Sequence, residues 1–121
     1  MARKPRIRVK RVYDAPEKSD GRRILVDRLW PRGLRKENAA IDEWLRELAP
    51  STELRKWFGH SADRWDEFRR RYHAELDRNP EGLDRLIELC RHGPVTLVFG
   101  ASDEVHNNAV ALKEYLERKS A

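Results

Sequence analysis

Residues 27–33 of this 121-residue chain combine an acid, two arginines and a tryptophan, directly after the apolar run Ile24-Leu25-Val26. A carboxylate is a candidate proton carrier, arginine presents a planar fork that fits phosphate or carboxylate, and tryptophan offers a face for a ring. Pro31 fixes its backbone angle and Gly33 tolerates positive φ, which indicates a turn at the exit of a strand. The segment therefore predicts a site for an anionic ligand. Its four candidate residues are Asp27, Arg28, Trp30 and Arg32.

Two further segments supply polar side chains of matching types. His106, which follows a second apolar run at residues 95–99, carries an imidazole and is a candidate acid/base catalyst together with Asp27. The start of a helix after that run presents free backbone N–H groups and the positive end of a dipole, which suits an anion. The remaining predicted ligand-binding residues are Ser51, Arg55, His60, Ser102, Asp103 and Asn107.

Each of these candidates also has a structural interpretation. Asp27 and Arg28 could form an ion pair at the end of the sheet, and Trp30 could cover the core. Ser102 and Asp103 are good helix N-cap residues. Arginine 55 and its neighbour Lys56 lie near the end of a short helix, where cations interact favourably with the helix dipole. The sequence alone leaves these alternatives open.

Hydrophobic periodicity predicts the elements that must position these residues. A first strand is indicated by Ile7, Val9 and Val12-Tyr13, a second spans Arg23 to Leu29, and a third spans Pro94 to Gly100. Apolar spacing and capping residues predict five helices. Their markers are Ile41, Trp44, Leu45 and Leu48, stopped by Pro50; Leu54, Trp57 and Phe58, between Ser51 and Gly59; Trp65, Phe68, Tyr72 and Leu76, capped by Ser61; Leu83, Leu86, Ile87 and Cys90, closed by Gly93; and Val105, Ala109, Leu112 and Leu116.

This order of elements predicts a small compact α/β layered domain. We expect a short, partly parallel sheet of three to four strands packed by five helices, with residues 1–121 forming a single domain. Whether the first two strands pair as a hairpin stays open. If the second and last strands are parallel neighbours, their carboxyl ends bring residues 27–33 and 102–107 to one rim, where α/β sheets bind ligands.

Composition narrows the class of protein and its partners. The formal net charge is +5, and six basic residues precede the first acid, Asp14. Such a segment attracts nucleic-acid phosphates, or it solvates an edge strand against aggregation, and residues 1–6 are predicted to be a flexible basic N-terminus. The six are Arg3, Lys4, Arg6, Arg8, Lys10 and Arg11.

Several classes of protein and site are not expected. No apolar run approaches the roughly 20 residues of a membrane span, and the N-terminus lacks the apolar region of a signal peptide. A single cysteine, Cys90, excludes an internal disulfide, sits on the apolar face of a predicted helix and favours a cytoplasmic location. Neither a glycine-rich phosphate loop nor metal-ligand spacing is present, so no metal and no cofactor is predicted.

Long motifs in the chain resemble those of a known family. They are Tyr13-Asp14, Asp20-Gly21, residues 26–33, Ala49-Pro50-Ser51, residues 54–60, Asp103-Glu104 and His106-Asn107. Together they resemble the YeaO-like family, a bacterial and archaeal group classed as a domain of unknown function. The resemblance implies a small cytosolic single-domain α/β protein and supplies no substrate, cofactor or catalytic residue.

The leading functional hypothesis is a protein that binds a phosphate-bearing ligand, a nucleotide or related metabolite, at the strand-end rim. Arg28, Arg32 and Arg55 would hold the anion and Trp30 would pack on the ligand. Asp27 and His106 would carry any proton in a hydrolysis or group transfer. The alternatives are a non-catalytic nucleic-acid-binding module, and a structural or regulatory domain that binds a protein partner.

Overall fold

A parallel sheet forms the centre of the fold in this computed structural model, which describes residues 7–120. Within that range the strands are β1 (Ile7–Arg11), β2 (Arg22–Leu25), β3 (Glu43–Trp44) and β4 (Val95–Phe99), in the order β1-β4-β2-β3. All neighbouring strands are parallel, so the sheet is wholly rather than partly parallel. Since β4 lies between β1 and β2, the first two strands form no hairpin. The prediction for residues 1–6 falls outside the described residues.

Five α-helices lie between residues 7 and 120. They are α1 (Lys36–Ala39), α2 (Thr52–Phe58), α3 (Trp65–Asp77), α4 (Pro80–Arg91) and α5 (Asn108–Ser120). Both predicted ends of α2 are confirmed. The Ser51 hydroxyl oxygen accepts a hydrogen bond from the Leu54 amide, and Gly59 ends the helix in the left-handed conformation, with φ of 52°. The predicted small α/β domain is therefore confirmed.

The predicted helix at residues 41–48 is wrong. Its apolar spacing fits a helix, but Glu43–Trp44 instead pairs with β2, and Arg46–Leu48 is a single 3₁₀ turn. The backbone amide of Leu45 donates to Leu25 O at 2.9 Å. The segment therefore satisfies its backbone hydrogen bonds on the open edge of β2 rather than within a helix. The last helix also starts later than predicted, at Asn108, and leaves Val105 63% exposed in the preceding loop.

The two faces of the sheet are covered differently. Alternate residues of the central strand, such as Leu97 and Phe99, point into a large core filled by apolar residues of α2, α3, α4 and α5. The opposite face is smaller and holds Val98. It is covered by Trp30, Leu34 and Ile41 of the long connection between β2 and β3, and by Trp44 of β3. That connection therefore wraps the sheet and begins with the residues predicted to form the site.

The amino ends of the strands carry a buried ion cluster. Asp20 and Arg23 are each 3% exposed and form an ion pair of 2.8 Å. Lys10 also donates to Asp20 at 3.2 Å. At the carboxyl end of β1, Arg11 Nε donates to Ala101 O at 3.1 Å. These described cations of the first strand thus bond within the protein.

In the described part of the chain, helices are too short or too polar to cross a membrane.

Candidate functional site

An open cleft of about 420 Å³ lies at the carboxyl ends of β1, β4 and β2. Its lining residues come from the ends of these strands, from α2 and α3, and from the start of α5. They are Tyr13, Asp27, Arg28, Leu29, Trp30, Pro31, Arg32, Pro50, Arg55, Phe58, His60, Phe68, Gly100, Ala101, Asn107 and Asn108. The cleft thus brings together seven predicted site residues, namely Asp27, Arg28, Trp30, Arg32, Arg55, His60 and Asn107. Four others do not line it: Ser51, Ser102, Asp103 and His106.

Asp27 is the carboxylate of the cleft. Its Oδ2 accepts the Gly100 amide at 2.8 Å, and its Oδ1 accepts Asn108 Nδ2 at 3.1 Å. Burial raises the pKa of Asp27, while these two hydrogen bonds and the positive charges of Arg55 and His60 act to lower it. The net shift is upward, so the protein holds this carboxylate at a cost that a suitable ligand can relieve.

The arginines of the cleft have different surroundings. Arg28 donates to Pro50 O at 3.0 Å and to Ala49 O at 3.4 Å, so it joins the strand exit to the loop before α2. It does not pair with Asp27. Arg32 and Arg55 are exposed, and within residues 7–120 neither side chain forms a hydrogen bond or an ion pair. Their guanidinium donors are therefore available to an anion in the cleft.

Aromatic and apolar side chains surround these charges. Trp30 packs edge-on against Trp44 with ring centroids 5.6 Å apart, and its indole donates to Leu34 O at 2.7 Å. It therefore covers the smaller core and lines the cleft at the same time. Tyr13 and Leu29 are 43% and 59% exposed at the cleft. Such a surface suits the apolar part of a ligand.

His60 occupies an unusual backbone position beside the cleft. It has φ of 58° and directly follows Gly59, so two successive residues are left-handed after α2. This conformation is uncommon for residues other than glycine, although histidine adopts it more readily than most. The turn places the His60 ring 6.3 Å from that of Phe58, at the wall of the cleft.

The segment before α5 is organised around Asp103 and Asn107. Asp103 Oδ1 accepts the amides of Val105 and His106, and Oδ2 lies 2.9 Å from His106 Nδ1. The two amides and the His106 ring lower the pKa of Asp103 to about 2. Asn107, 2% exposed, accepts the Val110 amide at 3.0 Å and so caps α5, a role predicted for Ser102 or Asp103.

Two predicted residues are engaged elsewhere. The His106 ring packs edge-on against Trp65, with centroids 5.3 Å apart, and is held by Asp103 rather than facing the cleft. Ser51 donates its amide and hydroxyl to the carboxylate of Glu75, at 2.8 and 2.6 Å. These contacts fix the helix starts beside the site.

Nine lining residues were not among the predicted site residues, and three of them form hydrogen bonds at the cleft: Tyr13, Gly100 and Asn108. The signal for Asn108 was the asparagine pair in a helical stretch, since asparagine is a poor helix former. Gly100 could not be identified, because it contributes a backbone amide. Within residues 7–120, no three His, Cys, Asp or Glu side chains are grouped in a way that could hold a metal ion.

Comparisons with known proteins relate this chain to one family over nearly its full length. Residues 6–121 match a family model, DUF488-N3i, described as the inactive DUF488-N3 subclade. The "Uncharacterized protein YeaO" of Escherichia coli is 46% identical over 110 residues, which cover 91% of this chain and 96% of that relative. The "Uncharacterized protein Mb3100c" of Mycobacterium bovis and "Uncharacterized protein Rv3073c" of Mycobacterium tuberculosis are each 40% identical over 116 residues, covering 96% of this chain and 98% of theirs. No solved structure matches. The predicted YeaO-like resemblance is confirmed.

Proposed function

This chain belongs to the family described as the inactive DUF488-N3 subclade, and we propose that it binds a small phosphate-bearing ligand in its cleft without transforming it. The class of ligand is a nucleotide or a related phosphorylated metabolite. The observation that carries the proposal is the pair of unpartnered guanidinium groups, Arg32 and Arg55, beside exposed aromatic surface in one cleft.

The chemistry of the lining favours phosphate. Arg32 and Arg55 offer planar forks that bind phosphate oxygens in pairs, and Arg28 and His60 add positive character nearby. Asp27 is the single acid among the lining residues. A cleft of about 420 Å³ also lies within the range of small-molecule sites, about 300–1,000 Å³.

Binding without chemistry is supported by the separation of the two predicted catalytic groups. Asp27 lies in the cleft with both carboxylate oxygens hydrogen-bonded to the protein. His106 is paired with Asp103 and does not line the cleft. General acid/base catalysis needs its groups within hydrogen-bond reach of one reacting centre. The family's description as inactive points in the same direction.

The contacts of the first strand favour a small ligand over nucleic acid. Lys10 is bonded to Glu17 and Asp20, Arg11 to Ala101 O, and Arg8 to Ser19 O. A nucleic-acid surface needs its cations exposed and free to displace counterions. These three side chains would have to break internal bonds first.

We also propose a cytoplasmic location. Cys90 is half-buried against the main core, and burial raises the pKa of its thiol. An unreactive, unpaired cysteine suits a reducing compartment, where disulfides are rare.

A thermal-shift screen against nucleotides, sugar phosphates and pyrophosphate tests the proposal. A ligand present at 100 times its Kd stabilises the folded state by about 2.7 kcal/mol, which for a protein of this size raises Tm by roughly 5 °C or more. Sodium chloride at matched ionic strength is the control for general salt effects. The proposal fails if no phosphorylated compound raises Tm beyond that control.

A further inference from the structure

The carboxylate of Asp27 retains unused hydrogen-bonding capacity on the cleft side. An ionised carboxylate offers about four acceptor positions, and the protein fills two of them, from Gly100 and Asn108. Because Asp27 lines the cleft, a ligand bound there can reach its carboxylate and fill the remaining positions. A ligand that excludes water from this carboxylate must replace the lost hydrogen bonds, or the charge stays buried and unsatisfied.

This requirement conflicts with a bare phosphate ester. A phosphate held by Arg55 and Arg32 brings negative charge into a cleft that already contains the Asp27 carboxylate. Like charges at close range repel strongly when water is excluded. The conflict is removed if the ligand turns a hydrogen-bond donor toward Asp27 while its phosphate lies on the arginines.

We therefore propose that the ligand is a phosphate ester that carries a hydrogen-bond donor, a hydroxyl or an amine, and that Asp27 selects for this donor. The inference rests on the proposed function and names the chemistry of its ligand. A donor to a charged acceptor forms a stronger hydrogen bond than a neutral pair does. Phosphate on the arginines gives affinity, and the donor on Asp27 gives specificity.

The position of Asp27 is fixed before any ligand arrives. Gly100 holds one oxygen through its backbone amide, and a Cβ built on Gly100 would lie only 3.1 Å from that oxygen. Asn108 holds the other oxygen and also donates to Val26 O at 2.9 Å, which ties the carboxylate to the start of α5. A preorganised acceptor loses little entropy on binding, so it discriminates well between ligands.

Matched ligands test the selection by isothermal titration calorimetry. Glycerol 3-phosphate is compared with propyl phosphate, and phosphoethanolamine with ethyl phosphate, so that within each pair the donor is the main difference. We expect the wild-type protein to bind the donor-bearing member of at least one pair about tenfold more tightly or better. The pair that shows the preference distinguishes a hydroxyl from an amine.

Asp27→Asn removes the charge with little change in shape. In this variant we expect the preference to fall to about threefold or less, because an amide forms neutral hydrogen bonds. Glu104→Gln is the matched control, since Glu104 is an exposed acid that does not line the cleft, and it should keep the wild-type preference. Far-UV circular dichroism and Tm establish that each variant is folded.

A pH series in a His60→Asn background tests the same idea with Asp27 intact. Asparagine tolerates the left-handed backbone at this position, and its introduction removes the imidazole ring from the cleft. The other charged group that acts on Asp27 is Arg55 on α2, and the neighbouring Tyr72 on α3 stays neutral because burial raises its pKa. We expect the preference for glycerol 3-phosphate over propyl phosphate to decline as pH falls and Asp27 takes up a proton.

The outcomes separate the inference from the proposed function. If all four esters bind with equal affinity, and Arg55→Gln weakens each of them, the inference is overturned and the proposed function stands. A preference that survives Asp27→Asn, or that grows as pH falls, also overturns the inference. If none of the four binds, the inference is overturned and the thermal-shift screen decides the proposed function. If the esters bind but their binding ignores Arg55→Gln, both the proposed function and the inference fail.

Discussion

Replacing Arg55 by glutamine isolates the guanidinium on which the proposed site depends. Arg55 and Lys56 are adjacent, both exposed, and both lie in the last turn of α2. Only Arg55 lines the cleft. Arg55→Gln and Lys56→Gln therefore remove the same charge from the same helix end, and they differ in which surface loses it.

The expected magnitude follows from the surroundings of the side chain. A hydrogen bond between charged groups contributes about 1.5–3 kcal/mol, so Arg55→Gln should weaken phosphate binding by roughly 10- to 150-fold. The side chain has no hydrogen bond or ion pair within residues 7–120. Its removal should therefore cost the dipole interaction, about 0.3–1 kcal/mol of the free energy of unfolding as for Lys56→Gln, together with the favourable interaction of its charge with the Asp27 carboxylate.

Calorimetric titration with glycerol 3-phosphate and urea denaturation measure the two quantities separately. We expect Lys56→Gln to bind within about threefold of the wild type, because a charge outside the cleft acts only through a screened field. Equal losses of affinity in both variants would show that a general positive potential binds the phosphate. That result would refute a site built around Arg55.

Three further predictions concern the framework that holds the site. Gly21→Ala should lower the free energy of unfolding by more than about 2 kcal/mol, since φ is 64° and the new Cβ would lie 2.2 Å from Pro94 O. Gly33→Ala should lower it by only about 1–2 kcal/mol, because φ is 76° but the space around the residue is open. Urea denaturation measures both changes. Burial acts to raise the pKa of Asp20, but hydrogen bonds from a backbone amide, an arginine and a lysine hold it below its ordinary value of 3.8. Its stabilising contribution is thus complete above that value and is lost as pH falls through the lower native pKa, so the stability gap between wild type and Asp20→Asn should narrow below pH 4 in pH-dependent denaturation. Asn107→Ala should lower the free energy of unfolding by about 1 kcal/mol or more, and so lower Tm, because it removes the N-cap of α5. An unchanged Tm would contradict that role.

Local signals predicted some elements well and misassigned others. The ends of α2 follow from Ser51 and Gly59, because a cap depends on backbone groups within a few residues. Residues 41–48 carry equally good helical spacing, yet Trp44 pairs with β2 and its indole donates to Asp27 O at 2.6 Å. The pairing of this segment depends on the open edge of β2, which lies 18 or more residues away in the sequence. The local spacing of apolar residues contains no information about so distant a partner.

The site was predictable to the extent that strand ends reveal it. Asp27 follows a buried apolar run, and parallel strands bring such exits to one edge, so its place in a cleft was foreseeable. Its partners were not, because one is the backbone amide of Gly100 and the other is Asn108, which was not among the predicted site residues. The later start of α5 placed Asp103 and His106 in a loop with their own hydrogen bonds.

The most direct test of the binding proposal is an NMR titration of ¹⁵N-labelled protein with glycerol 3-phosphate. The proposal predicts saturable shifts of the Gly100 amide, the Asn108 side-chain amide and the Arg55 Nε, because these groups contact or face Asp27 and the bound phosphate. Shifts confined to the exposed arginines of α3, such as Arg70 and Arg71, would place binding on another surface and contradict it.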